Sequence, residues 1–167
     1  MSDERERADI LETLRVHRGF LRQTVEGLTD EQAAMRPTVS ALCLGGLIKH
    51  VSLVEQNWAR FIIEGSAVME MDERSYAEHA RSFEMEPGET LAGLLDAYDR
   101  VAAATDELVL KVPSLDDEQT VPPAPWAPEA KQRTARRTFL HIMAETAQHA
   151  GHADIIREAI DGAKTMG

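Results

Sequence analysis

Apolar residues recur at intervals of three and four positions in four long segments, which span residues 5–28, 44–64, 89–110 and 134–163. This interval places the apolar side chains on one face of an α-helix and leaves the opposite face to charged residues. No segment shows the regular alternation that is typical of a half-buried strand. The pattern therefore predicts an all-α protein, a four-helix bundle in which the apolar faces are buried against one another.

The connections between these helices differ in length. Thr29, with Gln32 three residues later, has the form of a capping box and predicts a short helix or turn before Pro37. The segment 65–88 lacks clean periodicity and predicts a long connection with about one helical turn near Tyr76–Arg81. A second long loop, without strands, is predicted after helix three, where five of the seven prolines lie: Pro113, Pro122, Pro123, Pro125 and Pro128.

Composition and charge narrow the class of protein. The 167 residues are 43% hydrophobic and 28% charged, as in a globular domain, and no apolar run approaches the roughly 18 residues of a membrane span. A chain of this length can bury enough surface to fold alone, so residues 1–167 are predicted to form a single domain. The net charge of −11 argues against a nucleic-acid partner. The densest basic run, KQRTARR at residues 131–137, is interpreted as the solvated start of helix four.

The N-terminus and the single cysteine indicate where the protein is located and whether it holds a disulfide. The N-terminus is charged and passes directly into helical periodicity, without the order of a signal peptide, so the expected location is the cytoplasm. Cys43 is the one cysteine, which leaves no internal disulfide. Its apolar neighbours indicate a small buried side chain and not a nucleophile.

The candidate chemistry lies in the last helix. The stretch HIMAETAQHAGH, residues 141–152, contains His141, Glu145, His149 and His152. On a helix that turns about 100° per residue, these four side chains fall within about 80° of one another, next to the apolar face. Glu145 and His149 point most nearly toward the core. Their i, i+4 spacing can bring two ligand atoms onto one cation.

A third ligand has to come from another helix, and His50 of helix two is the candidate. It lies beside Val51 at the edge of the apolar stripe, so it can face the bundle interior. Two neutral imidazoles and one carboxylate suit a divalent transition metal, and three protein ligands leave a position open for water or a thiolate. The sequence thus predicts a metal site at His50, Glu145 and His149.

Other roles stay open for several residues. His141 or His152 could replace Glu145 as a ligand, or act outside the ligand set by orienting a ligand or holding a proton. The histidines could also be structural, as hydrogen-bonded core residues. His79, in the connection 65–88, is predicted to be exposed. Candidates for apolar walls are two aromatic residues of helix two and a tryptophan of the proline-rich loop, which could equally anchor that loop to the bundle: Trp58, Phe61 and Trp126.

Two stretches resemble a known family: RPTVSALCLGGLIKHVSLVEQNW, before and through helix two, and HIMAETAQHAGHADIIRE on helix four. They are similar to the DinB/YfiT-like metalloprotein superfamily, which includes mycothiol-dependent maleylpyruvate isomerase and bacillithiol transferases. The resemblance covers nearly the whole chain and implies a four-helix bundle that holds zinc or nickel through His50, Glu145 and His149. The isomerase is similar to this chain in using glutamate where many relatives use histidine.

The resemblance implies a metal-dependent enzyme. The leading hypothesis is transfer of a low-molecular-weight, mycothiol-like thiol to an electrophilic small-molecule substrate, because a divalent ion deprotonates a coordinating thiol. A metal-dependent hydrolase is an alternative, since such an ion also lowers the pKa of bound water to about 7. A non-catalytic metal-binding or stress-response bundle is another. Family members commonly dimerise, so the resemblance also implies a homodimer.

Overall fold

Six α-helices account for most of the protein, whose structure is a computed structural model that describes residues 3–70, 72–124 and 127–165. In chain order they are α1 (Asp3–Gln23), α2 (Asp30–Ala34), α3 (Leu44–Glu64), α4 (Glu73–Ser82), α5 (Leu91–Lys111) and α6 (Ala135–Asp161). A 3-10 helix lies at Gly65–Met69, and two short strands are β1 (Glu118–Val121) and β2 (Lys131–Thr134). The predicted all-α class is confirmed, and predicted helices one to four are α1, α3, α5 and α6.

The four long helices pack as a closed bundle. Helix α6 lies against both α1 and α3, α3 also lies against α5, and α5 contacts α1. Each long helix therefore has two neighbours, as in a four-helix bundle. Within the three described ranges, none of the helices combines the length and the apolarity needed to cross a membrane.

The core consists of two apolar clusters with a polar layer between them. The first cluster includes the buried residues Leu21, Leu47, Tyr98 and Ile156. The second cluster includes Leu14, Val109, Phe139 and Ile142. Between them, the buried polar side chains of the four long helices include Arg18, Glu55, Thr105 and Thr146.

Capping residues set several helix boundaries, and the capping box predicted at Thr29 is confirmed. Thr29 accepts a hydrogen bond from the backbone N–H of Gln32 at 3.2 Å, and the Gln32 side chain accepts one from the Thr29 N–H at 3.0 Å. Gly65 ends α3, with its N–H bonded to the Phe61 carbonyl. Thr134 caps the start of α6. Side chains that complete the hydrogen bonds of a helix end are readable from sequence because they act locally.

The first helix ends earlier than predicted. The sequence predicts helix over 5–28, but α1 ends at Gln23 and turns follow it. Val25 continues the apolar spacing and is buried, although it lies in a turn. Gly27 has φ +73°, and Arg157 of α6 donates hydrogen bonds to two carbonyls of the turn, each at 2.9 Å. Tertiary contacts therefore replace the last helical turn.

The connection 65–88 contains more helix than predicted. Instead of one turn near Tyr76–Arg81, the ten-residue helix α4 forms, capped by Asp72, whose carboxylate accepts a hydrogen bond from the Ser75 N–H at 2.8 Å. Within α4 only Ser82 is buried. Hydrophobic periodicity could not reveal such a helix, because it has no apolar stripe.

A short β-hairpin follows α5, where the sequence predicts a loop without strands. Strands β1 and β2 pair antiparallel, with Glu118 opposite Thr134 and Val121 opposite Lys131. Seven of the eight strand residues are polar and none is fully buried, so the strands lack the apolar–polar alternation on which a strand prediction depends. The interpretation of KQRTARR as a helix start is also corrected, since its first four residues form β2.

Gly46, in the first turn of α3, lets the chain beyond α4 approach closely. A β-carbon at Gly46 would lie 2.1 Å from the carbonyl oxygen of Phe83 and 2.9 Å from the backbone nitrogen of Glu84. Cys43, the N-cap of α3, joins this contact, because its thiol accepts a hydrogen bond from the Gly46 N–H at 3.4 Å and donates one to the Phe83 carbonyl at 3.8 Å. The prediction that Cys43 is buried is confirmed.

We expect Gly46→Ala to lower the free energy of unfolding by about 1–3 kcal/mol, because the added methyl group overlaps backbone atoms that no side-chain rotation can move. The midpoint of thermal unfolding measures this loss, at about 2–4 °C per kcal/mol for a chain of this size. Gly19→Ala on α1 is the matched control, since a β-carbon there meets nothing within 4 Å. Equal midpoints for the two variants would contradict the close approach.

Candidate metal centre

Three side chains meet where α3 packs against α6, and together they form the His-Glu-His group: His50, Glu145 and His149. Their candidate ligand atoms all lie within 4.8 Å of one another. His50 is 3% exposed and His149 is 8% exposed, whereas the Glu145 side chain is 29% exposed. The structure therefore brings the three predicted residues together, with the glutamate on the side that is open to solvent.

The helices explain this arrangement. Glu145 lies one turn before His149 on α6, so both side chains share one face, with Glu145 Oε2 3.8 Å from His149 Nε2. His50 lies on the face of α3 that packs against α6. Each histidine has buried apolar neighbours on its own helix: Leu47, Val51, Ala150 and Ala153.

A hydrogen bond from outside the group orients His50. Its Nδ1 atom lies 2.9 Å from the Ser82 hydroxyl oxygen, and this hydroxyl donates its own proton to the His79 carbonyl at 2.6 Å. Because that proton is already used, the serine oxygen accepts a hydrogen bond from Nδ1–H of His50. The Nε2 atom then carries the free lone pair, which is the form of imidazole that binds a metal.

Two further side chains of the α4 region cover His50. The Phe83 ring stacks on the His50 ring, with centroids 3.8 Å apart and an interplanar angle of 22°. The His79 ring meets the His50 ring edge-on, with centroids 5.2 Å apart. His79 is exposed, as predicted, but its contact with the site was not predicted. Sequence reasoning also missed Ser82 and Phe83, because no pattern in the connection linked them to helix two.

His141 and His152 flank the His-Glu-His group. His141 Nε2 lies 3.6 Å from Glu145 Oε1, and His152 Nδ1 lies 3.4 Å from His149 Nδ1. Neither belongs to the set of atoms within 4.8 Å. Their action outside the ligand set, as orienting or proton-holding residues, stays a prediction.

One of the predicted apolar walls lies beside this group. The Trp58 ring meets the His141 ring edge-on, with centroids 4.7 Å apart. Phe61 is fully buried and supports Trp58 from behind, with ring centroids 5.4 Å apart. Trp126 lies outside the described residues. The half-exposed side of the group, formed by Glu145 and His141 next to Trp58, is called the outer side below.

Burial keeps the imidazoles of the group neutral. It lowers the pKa of His50 to about 3, and the neighbouring His149 and His79 act in the same direction. Burial, and then His152, lowers the pKa of His149. Burial raises the pKa of Glu145, against an opposing effect of His79. At neutral pH the group therefore presents two imidazole lone pairs, the form that ligates a metal.

The donor set fits a divalent transition metal. Zinc is bound by imidazole nitrogen and carboxylate oxygen at about 2.0–2.2 Å, so two ligands of one ion are at most about 4.4 Å apart. The observed limit of 4.8 Å is close to this spacing. Three protein donors match a catalytic site, in which a further position is left to water or substrate.

Three cavities in the described part of the chain lie away from the group. Three cavities of about 850, 460 and 500 Å³ are lined by other residues, the first between the end of α1, α2 and the start of α5, the second between α3 and α5. None of the three is lined by His50, Glu145 or His149.

Known proteins share both the sequence pattern and the fold. Among solved structures, the crystal structure of a conserved protein from Enterococcus faecalis has a TM-score of 0.63 at 17% sequence identity, covering 92% of this chain and 96% of that chain. At this identity the likeness shows the fold alone. Comparison with curated proteins gives no match. The sequence profile described as Mycothiol-S-transferase matches residues 9–162. Since this match spans most of the sequence, the chain belongs to the mycothiol S-transferase family, which is DinB/YfiT-like.

Proposed function

We propose that the protein is a divalent-metal-dependent transferase that attaches a low-molecular-weight, mycothiol-like thiol to an electrophilic small molecule. The observation that carries this proposal is the His-Glu-His group, which gathers its donor atoms within 4.8 Å in a member of a thiol-transferase family. Three donors leave part of the coordination shell of a divalent ion open, and a thiol can occupy it.

His50, Glu145 and His149 would hold zinc or nickel, since both ions accept imidazole and carboxylate ligands. When bound, the ion supplies positive charge that favours the thiolate over the thiol. In the reaction the S–H bond of the thiol breaks, and the sulfur electron pair forms a bond to the electrophilic carbon. The leaving group departs with its bonding electrons.

The surrounding residues leave the site open on one side only. The inner side is closed, because His50 and His149 are buried and Phe83 stacks on His50. On the outer side the Glu145 and His141 side chains are 29% and 24% exposed. Substrate therefore enters there, and the thiol proton leaves there. The Trp58 ring next to His141 offers an apolar surface that reduces water at the reacting atoms.

The proposal predicts a reaction that needs both metal and thiol. Zinc- or nickel-loaded protein is mixed with mycothiol and a panel of electrophiles that includes monochlorobimane, and thioether formation is followed by fluorescence. We expect a rate above that of the protein-free mixture, abolished by a chelator and in His50→Ala. His17→Ala is the matched control, because it removes a half-buried histidine of α1 that lies outside the His-Glu-His group.

Two other outcomes would contradict thiol transfer. Metal-dependent turnover of nitrophenyl acetate without any thiol, and no thioether from the panel, would identify a hydrolase. Stoichiometric metal binding without turnover of either kind would identify a non-catalytic metal-binding bundle. The homodimer and the cytoplasmic location stay predictions, and sedimentation of the full chain tests the first of them.

A further inference from the structure

Arg133, on β2, has a guanidinium group that lies over the ring of Trp58. The guanidinium carbon is 4.4 Å from the centre of that ring. The Nη1 atom of Arg133 is buried and has no hydrogen-bond partner in the part of the chain that the structure describes. The guanidinium is thus held against an aromatic face, and one of its N–H groups is left without an acceptor.

This arrangement is unlike that of the buried arginines of the bundle. Those arginines, Arg7 and Arg18, pair with carboxylates. A buried N–H group without an acceptor is costly, and in a native protein it calls for an explanation. Burial, together with the charge of Arg137, also lowers the pKa of Arg133. An anion bound at Arg133 would relieve both effects.

The position of Arg133 connects it to the candidate metal centre. The Trp58 ring on which it lies also contacts the His141 ring, with centroids 4.7 Å apart, and His141 Nε2 is 3.6 Å from Glu145 Oε1. Burial lowers the pKa of His141 to about 4, and the charge of Arg133 contributes to this shift. Arg133 therefore lies next to the outer side, where a substrate would enter.

We propose that Arg133 binds a carboxylate of the electrophilic substrate and so makes the site selective for anionic substrates. A guanidinium presents its N–H groups as a planar fork that matches the two oxygens of a carboxylate. Contact with Trp58 fixes that fork beside the outer side. The assignment rests on the proposed thiol transfer, because it names the substrate class of the same site.

The test uses benzoate as the probe and benzamide as its uncharged analogue of similar shape. Binding to zinc-loaded protein is followed through the NMR signal of the Trp58 indole N–H, assigned with Trp58→Phe. We expect benzoate to bind about 10-fold or more tightly than benzamide, and Arg133→Gln to remove this preference without changing benzamide binding. Arg133→Lys, which keeps the charge but lacks the fork, should retain part of it.

Lys131→Gln is the matched control, since it makes the same change of charge at an exposed position of the same strand and should leave both affinities unchanged. Equal binding of benzoate and benzamide to the unchanged protein would overturn the proposal. A benzoate preference that survives Arg133→Gln but disappears on zinc removal would also overturn it, since benzoate would then bind the ion. No thiol or turnover enters this experiment, so its failure is distinct from a failure of thiol transfer.

Discussion

His50→Ala and His149→Ala are each expected to bind zinc or nickel more weakly than the unchanged protein by over about 100-fold. Each substitution removes one of three donors and leaves two. Changes to residues that only orient a ligand cost about 10–100-fold in metal affinity, so loss of a ligand is expected to cost more. Competition with a chromogenic chelator at neutral pH measures the affinity, and native mass spectrometry gives the number of ions per chain.

Two further variants serve as a control and as an intermediate case for this loss of metal affinity. His17→Ala should bind metal as the unchanged protein does, because His17 lies on α1 outside the His-Glu-His group. Ser82→Ala should lower the metal affinity by about 10–100-fold, because it removes only the hydrogen-bond acceptor that fixes the tautomer of His50. A protein that takes up neither ion, or histidine variants that bind as tightly as His17→Ala, would contradict a metal site at these residues.

The same titration decides the third ligand. Glu145→Ala should lower the metal affinity as much as His50→Ala and His149→Ala do, because the Glu145 carboxylate belongs to the set of atoms within 4.8 Å. His141→Ala and His152→Ala should lower the metal affinity less, because these two residues lie next to the His-Glu-His group and not in it. The reverse order of effects would make a histidine the third ligand and leave Glu145 as a neighbour.

The His-Glu-His group could be predicted because it depends on two local regularities of the α-helix. An i, i+4 spacing puts Glu145 and His149 on one face whatever the tertiary structure. The apolar period shows which face is buried, and His50 and His149 each lie beside buried residues of their own helix. The sequence therefore predicts which side chains point into the bundle, and the packing of α3 against α6 brings them together.

The residues around that group could not be predicted, because they depend on tertiary contacts of polar segments. Ser82 and Phe83 reach His50 from the end of α4, and Arg133 reaches Trp58 from β2, two elements without an apolar period. Gly46 is the one sequence feature that could have indicated the close approach of the Phe83 backbone to α3. A glycine inside an apolar helix costs up to about 1 kcal/mol relative to alanine, which is offset when another backbone needs the space.

The polar layer of the core carries the second large expected effect. Glu55 is fully buried and Arg18 is 4% exposed. They form two hydrogen bonds, at 2.5 Å between Arg18 Nη2 and Glu55 Oε1 and at 3.2 Å between Arg18 Nε and Glu55 Oε2. Asp106 holds the remaining side of the guanidinium at 2.7 Å. The pair joins α1 to α3 between the two apolar clusters.

Glu55→Ala is expected to lower the free energy of unfolding by about 3–5 kcal/mol, because it leaves the charge of Arg18 buried without its main partner. At about 2–4 °C per kcal/mol, the midpoint of thermal unfolding should fall by roughly 10 °C. Glu64→Ala, on the same helix, is the matched control. It breaks an exposed i, i+4 pair with Arg60 and should leave the midpoint nearly unchanged.

A double variant separates the cost of a stranded charge from the value of the pair. Arg18→Met with Glu55→Met removes both charges and fills the space with apolar atoms, so it should recover most of the stability that Glu55→Ala loses. If the double variant is as unstable as Glu55→Ala, the pair itself stabilises the contact between α1 and α3. If Glu55→Ala is as stable as Glu64→Ala, Arg18 is not stranded, and the described burial of this layer is contradicted.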